Sequence, residues 1–307
     1  MVSKKTRNLI IAFGFVFVIL IVLIFATSPP TKTKEPVFTF GPRVGVIRIA
    51  GAIQYGAGGL LGAEYDVKDY IDLINQARED PTIASVVIVF NSPGGEASAS
   101  EELYLAIEKL SEEKPVVAFA EGYMTSGAYE AALPADVIVA SPSSTVGAVG
   151  VYSIILNVEE LMGKLGVKAY VFKSGSMKDI GSPFREMTDD EKRVMQELID
   201  DLFEVFKDRV LEHRKHVSEE VFTGRPFSAK RGLEVGLVDK IGTFDDAVSE
   251  AKKLANLPED VPVEELKPPT PSLFDLLFGG TYTKKTVLIP SQVILAMWPP
   301  PTAVISP

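Results

Sequence analysis

The sequence predicts an α/β fold with a mainly parallel sheet, and three observations support this class. Short β-branched runs alternate with amphipathic segments of helical periodicity from about residue 43 onward. Residues 83–90 form an almost continuous apolar run, as expected of a strand that is buried on both faces. The predicted elements are joined by short connections in a β-α-β-α-β order, which favours parallel strands with right-handed crossovers.

The elements can be assigned in chain order from β-branched runs and from apolar residues that recur at helical spacing. Strands are predicted at 43–50, 83–90, 115–120, 136–140 and 167–172, and helices at 67–78, 98–110, 126–133, 188–216, 228–235 and 245–254. Two helices begin with the pattern of a capping box, in which Ser98 pairs with Glu101 and Thr188 with Glu191. The helix that begins at Thr188 carries two adjacent apolar stripes. One stripe suffices to pack the helix on its own domain. The second stripe therefore indicates that the helix also packs on a further neighbour, such as another subunit.

The N-terminal part predicts a membrane anchor. Residues 9–26 are 18 consecutive residues without a charged or strongly polar side chain, about the minimum for crossing a bilayer. A cleaved signal peptide would have a shorter apolar region, so a retained anchor is expected. Lys4, Lys5 and Arg7 precede the run, which favours a cytoplasmic N-terminus and an extracytoplasmic main domain.

This interpretation divides the chain into five parts. They are a cytoplasmic N-terminus (1–8), the transmembrane anchor (9–26), a Pro/Thr-rich stalk (27–42), the main domain (43–267) and a Pro-rich apolar C-terminal extension (268–307). Within the extension, residues 287–298 are apolar but broken by Pro290, and the segment is too short to span a membrane. Disorder, packing on the main domain and contact with the bilayer all stay open for it.

Composition excludes several classes of function. The formal net charge of -10 argues against a nucleic-acid-binding surface. The absence of cysteine excludes disulfides, thiolate metal sites and thiol catalysis. With two histidines and no dense cluster of carboxylates, no metal site is expected.

Ser126 is a candidate nucleophile. It follows a predicted strand and begins a predicted helix, and the small residues Gly127 and Ala128 leave room for a substrate backbone. The alternative is an ordinary N-cap, a common role for serine at a helix start. The two histidines, His213 and His216, lie in a charged helical stretch, so the base of a catalytic serine must be another residue. A neutral lysine is the best-known substitute.

Lys178 is the candidate base. To accept a proton, a lysine needs its pKa lowered from about 10.4 toward 7–8 by burial away from carboxylates. Asp179 is its neighbour in sequence and is therefore expected to point elsewhere. Lys173 is the competing candidate, with a structural cation as its other interpretation. A solvated surface charge is the alternative for Lys178.

The segment Asn91-Ser-Pro-Gly-Gly95 ends a buried strand with a sharp turn. Gly94 and Gly95 allow positive φ and a close approach of the backbone to a ligand. Backbone N–H groups at such a turn, together with that of Gly127, can hold a developing oxyanion. The alternative is an ordinary turn between a strand and a helix.

In this order the motifs resemble the signal peptide peptidase A family, in its short single-domain form. The resemblance runs from about Val44 to Leu257 and is carried by 91–95, 126–129, 173–183, 223–225 and 229–242. It implies a ClpP/crotonase-like β-α repeat fold, with Ser126 as nucleophile and Lys178 as general base. Gly94 and Gly127 would shape the oxyanion hole, and Gly95 would complete the turn.

The resemblance also implies the activity and the assembly. The family degrades remnant signal peptides in or near the membrane and needs neither a cofactor nor ATP. Hydrophobic peptides would be the substrates, and the lipid bilayer would be contacted through the N-terminal helix. Its members form homo-oligomers in which the serine and the lysine can come from neighbouring subunits. The expected location is the cell membrane, with a single pass and an extracytoplasmic catalytic domain.

Two positions depart from the family pattern. Glu130 stands where an aromatic residue is common, and Ala148 stands where a serine often helps to position the lysine. Since Ala148 cannot make that hydrogen bond, Ser144, Thr145 or a water molecule is expected to substitute.

Three other functions stay open. One is a related membrane Ser-Lys endopeptidase that cleaves hydrophobic segments of a specific membrane protein. Another is an acyl-CoA hydratase-like enzyme, and the third is an inactive oligomeric scaffold. The external placement of the domain and the Ser–Lys pair argue against the second, and the pair argues against the third.

Overall fold

The computed structural model describes residues 41–56, 65–267 and, for the backbone only, 294–297. The predicted cytoplasmic N-terminus, the membrane anchor, nearly all of the stalk and most of the C-terminal extension lie outside these residues. Within the described ranges, none of the helices combines the length and the apolar character needed to cross a bilayer.

The main sheet of the described chain is mostly parallel, as predicted. The strands are β1 (Arg43–Ala50), β2 (Ile83–Ser92), β3 (Gly94–Glu96), β4 (Val116–Thr125), β5 (Val137–Ala140), β6 (Thr145–Gly147), β7 (Tyr152–Ser153), β8 (Pro226–Ser228), β9 (Lys240–Ile241), β10 (Val263–Glu265) and β11 (Ile294–Met297). The sheet has the order β10-β1-β2-β4-β5-β9, and β6 extends it by pairing with β4 and β8. Only the β6–β8 pair is antiparallel in this sheet.

Helices cover both faces of the sheet. They are α1 (Val67–Glu79), α2 (Ala97–Ser111), α3 (Gly127–Ala132), α4 (Glu159–Leu165), α5 (Asp189–His213), α6 (Ala229–Glu234) and α7 (Phe244–Leu254), with a 3-10 turn at Glu219–Thr223. Val86 and Ile88 of β2 pack with α1 and α2, while Val87 and Val89 pack with α7. Because successive strand residues point to opposite faces, burial on both faces gives β2 its continuous apolar sequence.

The capping predictions met different outcomes. Thr188 and Glu191 form the capping box of α5, as predicted. The box predicted for Ser98 and Glu101 is wrong, because α2 begins one residue earlier and has Glu96 at its N-cap without a side-chain bond. The carboxylate of Glu101 instead pairs with Arg209 of α5. A local pattern could not anticipate this partner, which is 108 residues away in the chain.

The strand predicted at 167–172 is also wrong. These residues form no helix or strand, and they are exposed, with Tyr170 at 78% and Phe172 at 95% of full exposure. Their β-branched and aromatic composition favours a strand only where neighbouring strands pair with it. The long helix α5 ends at His213, three residues before the predicted end. Phe206 and Val210 are buried, but Val194 and Leu198, nearer its start, are exposed.

Candidate active site

Ser126 lies on a strained turn between β4 and α3. Its φ of 53° and ψ of -126° are rarely adopted by residues other than glycine. It holds the N-cap position of α3, but its side chain makes no capping hydrogen bond. The alternative interpretation as an N-cap therefore does not account for a serine here. A side chain held on a sharp strand-to-helix turn is typical of catalytic nucleophiles.

Backbone hydrogen bonds hold this turn on both sides. The N–H of Ser126 donates to the carbonyl of Gly147 at 2.6 Å. Its carbonyl accepts from the N–H groups of Tyr129 and Glu130, at 2.8 and 3.0 Å. The Oγ donates to the carbonyl of Gly150 at 3.3 Å, and the residue is 1% exposed. The serine is therefore buried, with its hydroxyl weakly held.

The predicted glycine turn joins β2 to β3. Gly94 has a φ of 96°, and its N–H donates to Oγ of the buried Ser92 at 3.2 Å. Its carbonyl accepts from the N–H of Ile53 at 3.0 Å. A Cβ on Gly95 would lie 1.8 Å from the Ile53 carbonyl oxygen. Both glycines are therefore required by the backbone, one for its φ and the other for a close approach.

An extended segment of the chain lies along this turn. β11 pairs antiparallel with β3, with Met297 opposite Gly94 and Leu295 opposite Glu96. On its other side, β11 pairs antiparallel with β7. Of the outcomes left open for the C-terminal extension, packing on the domain holds for these four residues. The edge of β3 can thus accept a peptide in extended conformation by backbone hydrogen bonding.

The oxyanion hole stays a prediction. Gly127 is the first residue of α3, and the first N–H groups of a helix have no intrahelical acceptor. The N–H of Gly94 is directed to Ser92, as described above. Gly95 lies in β3, opposite residue 296 of β11.

Lys178 does not complete the site within the chain as described. Its side chain is exposed, and among the described residues it makes no hydrogen bond or ion pair. Its backbone N–H donates to the carbonyl of Gly175 at 3.2 Å in a turn. Ser126, by contrast, is buried and bonded to Gly150. The structure therefore does not bring the two predicted catalytic residues into contact.

Lys173, the competing candidate for the base, makes contacts with other groups of its loop. Nζ of Lys173 donates to the carbonyl of Ser176 at 2.8 Å and lies 2.6 Å from Oδ1 of Asp179. The interpretation of Lys173 as a structural cation fits these contacts. Asp179 also accepts two hydrogen bonds from Arg185, at 2.9 and 2.8 Å. Its carboxylate is thus directed to cations other than Lys178, as expected from the sequence.

The loop that contains these residues is tied to α5. Arg185 donates to Glu191 from Nη1 at 2.8 Å and from Nη2 at 2.5 Å. The Glu191 side chain is only 3% exposed. Hydrogen bonds from Arg185 and from the backbone of Thr188 lower the pKa of Glu191 to about 2. This network was not predicted from the sequence, although Arg185 and Glu191 stand close to the lysine motif.

Glu130 lies one turn into α3 and is 5% exposed. Burial raises its pKa to about 7, although Arg209 opposes the shift from 3.6 Å away. The Arg209 guanidinium lies 3.8 Å from the centroid of the Tyr104 ring, and it also pairs with Glu101. The charge that departs from the family pattern therefore joins α3 to α2 and α5.

The second position that departs from the family pattern is Ala148. Ala148 is buried with a φ of 53°, and its N–H donates to the carbonyl of Arg225 at 3.1 Å. Ser144 donates to the carbonyl of Ser141 at 2.8 Å, so its hydroxyl hydrogen is used within its own turn. A role for Thr145 as the substituting hydroxyl stays a prediction.

A buried serine on a strained strand-to-helix turn is typical of the nucleophile of a serine hydrolase. The helix that follows it contacts β3, whose edge pairs with an extended strand of the same chain.

Comparison with known proteins agrees. The model of peptidase family S49 matches residues 108–258. A putative protease of Methanocaldococcus jannaschii is 38% identical over 291 residues, which cover 90% of this chain and 91% of that protein. A putative protease of Synechocystis is 35% identical over 213 residues, or 68% of this chain and 76% of that protein. A putative signal peptide peptidase SppA of Enterococcus faecium is 29% identical over 205 residues, or 66% and 60%. The chain belongs to peptidase family S49 and is a serine protease of the SppA-like group.

Proposed function

We propose that this protein is a membrane-anchored endopeptidase that degrades remnant signal peptides, with Ser126 as nucleophile and Lys178 as general base. The observation that carries the proposal is the strained conformation of Ser126, whose hydroxyl caps no helix. The edge of β3, which pairs with an extended strand, supports a peptide as the substrate. The name of the Enterococcus faecium relative supports signal peptides as the substrate class.

The chemistry is acyl transfer through a covalent intermediate. Neutral Lys178 accepts the hydroxyl proton as Oγ of Ser126 attacks the peptide carbonyl. The N–H groups near Gly94 and Gly127 stabilise the oxyanion. The protonated lysine then donates its proton to the leaving amine. Water, deprotonated by the same lysine, hydrolyses the acyl-enzyme and releases the second product.

The proposal includes a dyad that forms between subunits. Lys178 is exposed in the single chain, and the segment around it presents exposed apolar side chains to solvent. These include Leu156, Leu161, Leu165, Val167, Tyr170, Val171, Phe172 and Met177. Such a patch is typical of a surface that is covered by another protein. Burial of Lys178 against a neighbouring copy would also favour its neutral form, which the mechanism requires.

The proposed membrane anchor fits hydrophobic peptides as the substrates. The apolar run at 9–26 would hold the catalytic domain near the bilayer, where released signal peptides reside. An extended peptide would add to β3 through its backbone, and pockets for alternate side chains would then set the preference.

The test uses the full chain purified in detergent and a synthetic hydrophobic signal-peptide segment. Wild type should release fragments, and Ser126→Ala and Lys178→Ala should each be inactive although correctly assembled. Wild-type activity should rise with pH through an apparent pKa well below that of a free lysine. An active Lys178→Ala variant would show that the base is misassigned. If the segment is not cleaved but a membrane protein with a hydrophobic tail is, the related endopeptidase function replaces this one.

A further inference from the structure

We propose that Asp179 is a positioning residue that fixes the loop presenting Lys178. The inference rests on the proposed function, because it takes Lys178 as the general base. It concerns a side chain that touches neither Ser126 nor, in the described chain, Lys178 itself. Asp179 would act by fixing the backbone that carries Lys178.

The loop that carries Lys178 is closed by an ion pair. Lys173 and Asp179 stand at its two ends, and their side chains meet at 2.6 Å. The same ammonium group donates to the carbonyl of Ser176, in the middle of the loop. Two turn hydrogen bonds, from Lys178 to Gly175 and from residue 180 to 177, shape the backbone between these ends. Lys178 therefore lies inside a closed loop, and its side chain is exposed.

Arg185 and Glu191 attach this loop to a rigid element. The Arg185 guanidinium binds both carboxylate oxygens of Asp179, and it binds both oxygens of Glu191. Such paired hydrogen bonds fix orientation as well as distance. Glu191 lies in the first turn of α5, a helix of 25 residues. Two bidentate contacts thus hold the loop in a fixed position relative to this long helix.

Regular secondary structure does not support the segment around this loop. Residues 167–188 form no helix or strand, so no ladder of backbone hydrogen bonds fixes this part of the chain. Isolated ion pairs at the surface contribute little because water competes for them. Here the Asp179 side chain is only 13% exposed and that of Glu191 only 3%. The network therefore has the shielding that most surface pairs lack.

Charge gives Asp179 a second reason to be held in this way. A carboxylate next to Lys178 would stabilise its ammonium form and oppose its function as a base. Hydrogen bonds from Arg185 and then from Lys173 lower the pKa of Asp179, so it stays ionised and paired. Charges alternate along Lys173, Asp179, Arg185 and Glu191, and they sum to zero. The loop thus gains an ionic closure without placing an unpaired anion beside the base.

The test measures kcat and KM separately for full-length, assembled protein with the same signal-peptide segment. Asp179→Asn keeps the shape but removes the charge, and it should lower kcat about 100-fold, since misplacement by about 1 Å has effects of this size. KM should stay within about twofold, because the edge of β3 that would bind the peptide is not touched. The matched control is Arg193→Gln on α5, which breaks exposed pairs with Asp190 and Glu197 and should leave both constants unchanged.

A double-mutant cycle gives the second readout. If Lys173 and Asp179 act together, Lys173→Met and Asp179→Asn should each lower kcat, and the double variant should be little worse than either alone. Independent, additive losses would contradict the proposal. So would a kcat equal to that of wild type in Asp179→Asn.

A failure to fold and a failure of the proposed function give different results. If Asp179→Asn fails to assemble, Arg185→Lys tests the proposal in its place. This variant keeps the charge but loses the paired hydrogen bonds. A lowered kcat with normal assembly and melting temperature supports positioning, and a normal kcat overturns it. If wild type is as inactive as Ser126→Ala, the proposed function itself has failed. If Lys178→Ala is active, the base is misassigned and the inference falls with that assignment.

Discussion

The backbone N–H of Ser126 donates to the carbonyl of Gly147 at 2.6 Å, and both residues have positive φ. This bond continues the pairing of β4 with β6, which ends at Thr125 and Gly147. Two uncommon backbone conformations therefore stabilise each other at the position where the predicted nucleophile must be held.

Gly147→Ala should disrupt this relationship. The new Cβ would meet Leu237 at 2.8 Å and Phe227 at 3.1 Å, at a φ of 84°. We expect the free energy of unfolding to fall by about 1–3 kcal/mol. We expect kcat to fall by a larger fraction than the free energy of unfolding. Urea unfolding and steady-state kinetics test this. Wild-type stability with unchanged kcat would show that the bond does not hold the serine.

Gly95→Ala should abolish peptide cleavage, because its Cβ would lie 1.8 Å from the Ile53 carbonyl and displace β3. Gly163→Ala is the matched control. Gly163 lies in α4 with nothing within 4 Å of an added Cβ, so alanine should stabilise that helix by about 0.5–1 kcal/mol. Fragment release and thermal melting distinguish the two variants. Equal activity in both variants would show that β3 does not bind the substrate peptide.

Removal of residues 268–307 should raise kcat/KM several-fold, mainly through KM. β11 lies between β3 and β7, and a tethered strand competes with substrate at an effective concentration on the order of millimolar. The comparison uses the same signal-peptide segment with the full chain and with the shortened chain. An unchanged KM would mean that substrate does not use this edge of β3.

Mixed assemblies should reveal a shared dyad. Ser126→Ala and Lys178→Ala protein, each inactive alone, should regain activity when they are dissociated together and reassembled. Random mixing of equal amounts would restore about one quarter of the sites, since half of the serines would meet half of the lysines. A dyad within one subunit would give no recovery at any ratio.

Glu130→Gln should change the pH dependence of stability. Burial raises the pKa of Glu130 to about 7 in the folded protein, above its value of about 4.5 in the unfolded chain. The native state therefore holds the proton more tightly, and wild type loses stability as pH rises from about 4.5 to about 7. The amide does not titrate, so the variant should gain stability relative to wild type over this range. Melting curves at pH 5 and pH 8 test this, with the exposed Glu197→Gln as control. A constant difference between variant and wild type would show that Glu130 is not the titrating group.

Much of the fold could be predicted from local patterns. The boundaries of β1, β2 and α1 follow from periodicity, because each buries the faces that its own residues define. The capping box at Thr188 was predicted because both of its partners lie within four residues. The box at Ser98 failed because Glu101 has a distant partner, and the strand at 167–172 failed because none of the described strands pairs with it.

Residue type and spacing alone predict the β-α order, the chemistry available without cysteine, and the candidate residues Ser126 and Lys178. Tertiary contacts, in contrast, set the strained conformation of Ser126, which caps no helix, and the binding of Asp179 to Lys173 and Arg185 instead of Lys178. They also place residues 294–297 along β3. Backbone strain, partner choice and burial arise from contacts between residues far apart in the chain, and no local pattern encodes them.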